Sequence, residues 1–217
     1  MLINNADFHP PEKRIKSVQN HELMFAKNYL AHFSITAQLL PLLENTENAR
    51  IIFQGAVEHE KGVLDFFDLD STLFYDPDKA YAQSKLAIQV FARELDRRLR
   101  ITHLDIKSIP VHVGGIQSPI FSKLINYAFR QSAPHAALST LFAATSNEAQ
   151  SGHFYGPWGI GNQPHEIDCA EHAKSLYTAE RLWDVSEKMC GHDFSLKDMS
   201  NVLPFKMKGN IHPENFI

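Results

Sequence analysis

Short apolar runs recur at Met1–Ala6, Arg50–Gln54 and Leu104–Val113, and a long segment of helical periodicity separates each from the next. This alternation restricts the fold more than any other feature. Two strands can lie side by side in parallel only if the chain crosses back over a dozen residues or more, and residues 19–43 and 76–100 are long enough to do so. The pattern predicts an α/β chain built on a mostly parallel sheet. A further helix is expected over Ala136–Ala144 and a short fourth strand over His153–Tyr155, followed by a Gly/Pro loop, Gly156–Gly161. With 217 residues and 44% apolar content, the chain can bury one good-sized core.

The helix beginning near residue 76 carries the clearest local signals. Asp76 is suited to the N-cap, Pro77 to the first helical position and Asp78 to the first turn, and Leu86, Val90, Phe91, Leu95 and Leu99 continue as an apolar stripe. Tyr81 and Lys85 stand four apart on this helix and so share a face. A phenol ionises near pH ~10 and exchanges protons poorly at neutral pH unless a neighbouring ammonium favours its phenolate. The pair therefore suits proton transfer to or from an alcohol or carbonyl oxygen.

Other function classes find little support. The net charge is −4 and no cluster of Lys and Arg stands out, which argues against a nucleic-acid partner. No run of about eighteen apolar residues marks a membrane span, and no secretory leader is visible, so the expected location is the cytoplasm. Cys169 and Cys190 lack metal-ligand spacing and read as free thiols, and the twelve histidines, His59 and His112 among them, show no ligand motif. No metal site is expected. Gly156-Pro-Trp-Gly-Ile-Gly161 does not fit a dinucleotide fingerprint, because it contains proline and does not join a strand to a helix N-terminus.

Met1-Leu-Ile-Asn-Asn-Ala, Met24-Phe-Ala-Lys-Asn-Tyr-Leu-Ala-His-Phe33, Ala80-Tyr-Ala-Gln-Ser-Lys-Leu86 and Phe91-Ala-Arg-Glu-Leu95 occur in an order and spacing that resemble the short-chain dehydrogenase/reductase family. The likeness runs to about Gly191 and is nearest to the retinol-dehydrogenase-like branch, whose long segment before the tyrosine is matched by Gly62–Asp78. It implies the C-terminal part of a doubly wound Rossmann-type parallel sheet, with the first strand-helix units missing, over residues 1–191, and a C-terminal tail over 192–217. It also implies a nicotinamide cofactor, NAD or NADP, and a small apolar alcohol or carbonyl substrate. By the same resemblance Tyr81 is the general acid/base, Lys85 lowers its pKa and bonds the nicotinamide ribose, and Asn28 holds a water of the proton relay. Asn5, Ala6, Gly114 and Ser118 border the cofactor, and helices 19–43 and 79–100 form a homodimer interface.

Three positions depart from the family pattern. Ala56 stands where the family's serine bonds the substrate oxygen, and Ser84 sits beside the tyrosine on the same helix rather than opposite it. Asp7 replaces a glycine next to the cofactor, where a carboxylate is expected to crowd or repel it, and Val113 replaces a proline. Three readings stay open: an oxidoreductase whose missing half is supplied or whose start is misassigned, a non-catalytic relic that keeps the dimerisation helices, and a truncated gene product without stable function.

Overall fold

The computed structural model describes residues 1–114, 133–158, 163–194 and 196. Five strands form one sheet in the order β1 (Leu2–Asn4), β2 (Ala49–Gln54), β3 (Ile106–Val111), β4 (Phe154–Trp158) and β5 (Gln163–Ile167). The first four are parallel, with Asn4 beside Phe53 and Gln54 beside Val111, so the carboxyl ends of β1 to β3 lie together. Ligands in open α/β sheets bind at that end. The mixed α/β architecture expected from the alternation is present.

The alternation stops at β4. The residues from Gly156 to Trp158, expected in a loop, extend β4, and β5 pairs with it antiparallel, with Pro157 opposite Pro164. Neither proline has an N–H to offer the ladder, and such prolines are confined to sheet edges. β5 is such an edge, with its residues exposed or half-buried.

The first crossover helix, α1, runs on through an α-turn Leu23–Phe25, a π-helical turn Ala26–Leu30 and the α-helical Ala31–Leu43. Its start lies four residues after the expected one, because the buried Glu22 caps it, accepting from the Met24 and Phe25 N–H groups at 2.9 and 2.8 Å. The second, α2 (Pro77–Ile101), is capped by Asp76 Oδ1, which accepts from the Lys79 N–H at 2.9 Å. Beyond β3 come α3 (Ala133–Ala136), α4 (Leu138–Thr145) and α5 (Leu176–Cys190), the last ended by Gly191 in the left-handed conformation. α3 and α4 together cover the region of the expected helix 136–144.

α1, α2 and α5 meet on one face of the sheet around an aromatic cluster of Phe33, Phe91, Trp183 and Phe194. Packing therefore continues beyond Gly191, since Phe194 and Leu196 are both buried. α5 packs along α2 and leaves it little free surface, whereas α1 keeps Ile35 and Leu42 exposed at 44% and 68%. The loop after the 3₁₀ turn Val57–Lys61 closes tightly on α2, where a Cβ at Gly62 would lie 2.5 Å from the Ala82 carbonyl oxygen and 2.7 Å from Leu86 Cβ. Backbone cannot yield as a flexible side chain can, so Gly62→Ala is expected to cost roughly 2 kcal/mol in urea unfolding.

Candidate functional site

Tyr81 and Lys85 lie on the second and third turns of α2, facing the carboxyl ends of β1 and β2. The Lys85 side chain is fully buried, with its Nζ 3.0 Å from Asp7 Oδ1 and 3.3 Å from the Gln54 carbonyl oxygen, at the last residue of β2. The Tyr81 hydroxyl donates to the other Asp7 oxygen, Oδ2, at 3.1 Å, and the ammonium lies 5.4 Å from the Tyr81 ring centroid. One carboxylate thus joins the two side chains that stand four apart on the helix. Asp7 belongs to neither helix and reaches the site from the chain leaving β1.

Asn28 holds that same segment. Its Oδ1 accepts from the Phe8 N–H at 2.7 Å while its Nδ2 donates to the Phe8 carbonyl at 3.0 Å and to Ser84 Oγ at 3.3 Å. It sits within the π-helical turn, a feature that recurs at functional sites because it breaks the regular ladder. The His9 ring stacks on Tyr81 with centroids 6.1 Å apart, and the Tyr75 hydroxyl donates to the Pro11 carbonyl at 2.9 Å. Residues 7–11 therefore form a strap across the Tyr81 end of α2.

The electrostatics differ from those expected of the pair alone. The Tyr81 phenol is held above its ordinary value, first by burial and then by the charges of Asp7 and Glu58. Burial pulls the Lys85 ammonium below its usual value, opposed by Asp7 and Glu58. Asp7 engages the ammonium and adds its negative charge to the burial that already holds the phenol up. Asp7 itself was expected only to crowd or repel a ligand; it is instead the common partner of both groups.

The other expected site residues are more scattered. Asn5 and Ala6 are exposed between β1 and the strap. Gly114 follows β3 with φ +104°, and its N–H donates to His112 Nδ1 at 3.0 Å. Ser118 lies outside the described residues. Ala56 follows β2 in extended conformation with no hydroxyl to offer, and the Ser84 hydroxyl donates back along its own helix to the Tyr81 carbonyl at 2.8 Å. Among the described residues no group of three or more His, Cys, Asp or Glu could hold a metal ion, and no helix is long and apolar enough to cross a membrane.

Sequence reasoning missed His32, one turn after Asn28. It is buried, neither ring nitrogen closes a hydrogen bond of standard geometry, and burial with the nearby Lys85 charge pushes its pKa down to about 4. Asp7 and the Asn28 carbonyl pull the other way, too weakly to offset burial. His112 is likewise pushed down to about 4, by burial first and then by His59. Its Nδ1 accepts from Gly114, so the neutral ring carries its proton on a buried Nε2 that has no partner among the described residues. Unfolded histidine takes up a proton near pH ~6.5. These two contributions to stability are thus complete above that pH and are lost as pH falls towards 4, because the unfolded chain binds protons that the folded chain refuses. The expected loss is about 3 kcal/mol for each ring. Urea unfolding at about pH 7 and about pH 4.5 measures it, and His32→Leu should lose less between the two.

Comparison with known proteins bears on the same residues. No family model matches the chain. Retinol dehydrogenase 14 of Mus musculus is 31% identical over 210 residues, covering 88% of this chain and 59% of that protein. The human polyprenol dehydrogenase is 28% identical over 211 residues, covering 88% and 61%. Among solved structures, an uncharacterised protein of Mycobacterium paratuberculosis matches with a TM-score of 0.77 at 29% identity, covering 90% of this chain and 68% of that one. The chain belongs to the short-chain dehydrogenase/reductase family. Within the family its similarity is to the retinol-dehydrogenase-like branch, and it spans about three fifths of the length of the curated relatives it matches. Tyr81, Lys85 and Asn28, the residues carried over from the short-chain dehydrogenase/reductase pattern, meet in one site, and the strap that joins them is centred on a position where this chain departs from that pattern.

Proposed function

We propose that the chain carries the proton-transfer half of a nicotinamide-dependent oxidoreductase site acting on an apolar alcohol or carbonyl. The observation that supports this reading most is the grip of Tyr81 and Lys85 on the Asp7 carboxylate. Two donors reaching two adjacent oxygens suit the paired hydroxyls of a ribose, so the donor set fits the cofactor that the family implies. When bound, NAD or NADP supplies or accepts the hydride. Lys85 holds the ribose and, once it is free of Asp7, favours the Tyr81 phenolate. Tyr81 gives or takes the proton at the substrate oxygen, and Asn5, Ala6 and Gly114 line the cofactor's path. A homodimer belongs to the same reading, with the exposed Ile35 and Leu42 of α1 as its apolar contact.

Ala56 leaves the substrate oxygen without the family's hydroxyl donor, and loss of one such donor costs on the order of a hundredfold in rate. Turnover of a long-chain aldehyde with NADH or NADPH is accordingly expected to be slow, and Ala56→Ser to speed it about a hundredfold. No turnover by either form would favour the second reading, a non-catalytic relic. Ala56 and the engagement of both Tyr81 and Lys85 by Asp7 are the observations on its side.

A further inference from the structure

We propose that Asp7 is a built-in competitor for the ligand end of this site, filling from within the two-donor cradle of Tyr81 Oη and Lys85 Nζ, so that the strap must leave before a ribose can enter. This inference rests on the reading above that a nicotinamide ribose is what the cradle takes. The carboxylate contacts both donors, at 3.1 and 3.0 Å, and occupies them with one oxygen each. Among the described residues Lys85 has one further hydrogen-bond partner, the Gln54 carbonyl at 3.3 Å, so its position is set by the sheet end on one side and by Asp7 on the other. A hydroxyl-bearing ligand that displaces Asp7 inherits the same two donors.

The strap is also built to be released as a unit. β1 ends at Asn4, and the exposed Asn5 and Ala6 lead straight to Asp7. Besides Asp7, its ties are two hydrogen bonds to Asn28, the His9 ring on Tyr81, Lys27 over the Phe8 ring at 4.1 Å and the Tyr75 bond to Pro11. Asn28, Lys27 and Tyr81 tie the strap to α1 and α2, Tyr75 ties it to the loop just before α2, and Phe8 is only half-buried. Asp7 is the residue of the strap that engages both Tyr81 and Lys85. Its side chain is 29% exposed, so once displaced the carboxylate has water within reach.

Titration of reduced nicotinamide fluorescence, with NADH and with NADPH, on the wild-type chain, Asp7→Gly and the isosteric Asp7→Asn tests this directly. Both variants are expected to bind at least about tenfold more tightly than wild type, and acetate is expected to raise the thermal midpoint of Asp7→Gly, by refilling the cradle, while leaving wild type unmoved. Equal binding by all three forms would overturn the competitor role and leave the nicotinamide reading standing. Binding by none of them, with acetate still stabilising Asp7→Gly, would overturn the nicotinamide reading and the competitor role with it. Hydrogen exchange at the Phe8 N–H reads release of the strap independently; unchanged protection in the tighter-binding variants would overturn strap displacement as the cause.

Discussion

Asp7→Ala is expected to lower the free energy of unfolding by about 3 kcal/mol, at the low end of the range for stripping a buried charge of its partner. The Lys85 side chain is fully buried, and without Asp7 its ammonium keeps, among the described residues, one hydrogen-bond acceptor, the Gln54 carbonyl. Lys85→Met should cost about 1 kcal/mol or less, although it removes the same ion pair. It takes away the buried charge, and the Asp7 carboxylate that remains is part-exposed and keeps the Tyr81 hydroxyl as a donor. The double variant should resemble Lys85→Met, since Asp7 has no buried cation left to serve. Denaturant unfolding of the four proteins checks this, and equal losses from the two single changes would contradict the asymmetry on which it rests.

Trp183→Ala is expected to cost about 4 kcal/mol, because the side chain is the shared partner of three structural units. Its ring lies 5.4 Å from Phe33 of α1, 5.6 Å from Phe91 of α2 and 4.6 Å from Phe194 beyond α5. The Arg98 guanidinium sits 3.9 Å from the ring centroid, and the indole N–H donates to Glu187 at 3.0 Å. With 2% of the residue exposed, truncation leaves a cavity that three aromatic neighbours can close only by moving apart from their own contacts. Trp183→Phe keeps much of the ring and should lose about half as much. Urea unfolding gives the magnitudes, and proteolysis of residues 176–196 should quicken in the alanine variant if α5 loosens first.

Local signals accounted for much of the frame. Asp76 and Pro77 placed the start of α2 because capping is a short-range matter, and helical spacing alone put Tyr81 and Lys85 on one face. The antiparallel β4–β5 pairing was hidden because Gly156, Pro157 and Pro164 carry turn chemistry, and only their cross-strand register shows them to lie in paired strands. The role of Asp7 was hidden for another reason. Its hydrogen-bond partner Tyr81 is 74 residues away, and the sign of its charge gave repulsion of a ligand as the natural expectation, not a bond to the pair. The raised Tyr81 pKa follows first from burial and then from the charges of Asp7 and Glu58, which only the folded chain brings together.

The π-helical turn within α1 has a consequence for how the chain tolerates change. Its wider loop, closed by the Ala31 N–H on the Ala26 carbonyl five residues back, shifts the phase of everything that follows by roughly one residue, or about 100°. Asn28 keeps the strap in place from inside that turn, whereas Phe33, Leu40 and Leu43 meet the core in the phase set after it. A one-residue deletion between 26 and 30 that restored regular α-geometry would turn those three side chains off the core and bring their neighbours into it. Substitutions along α1 are thus judged one site at a time, but a change in its length here is judged by all thirteen residues downstream.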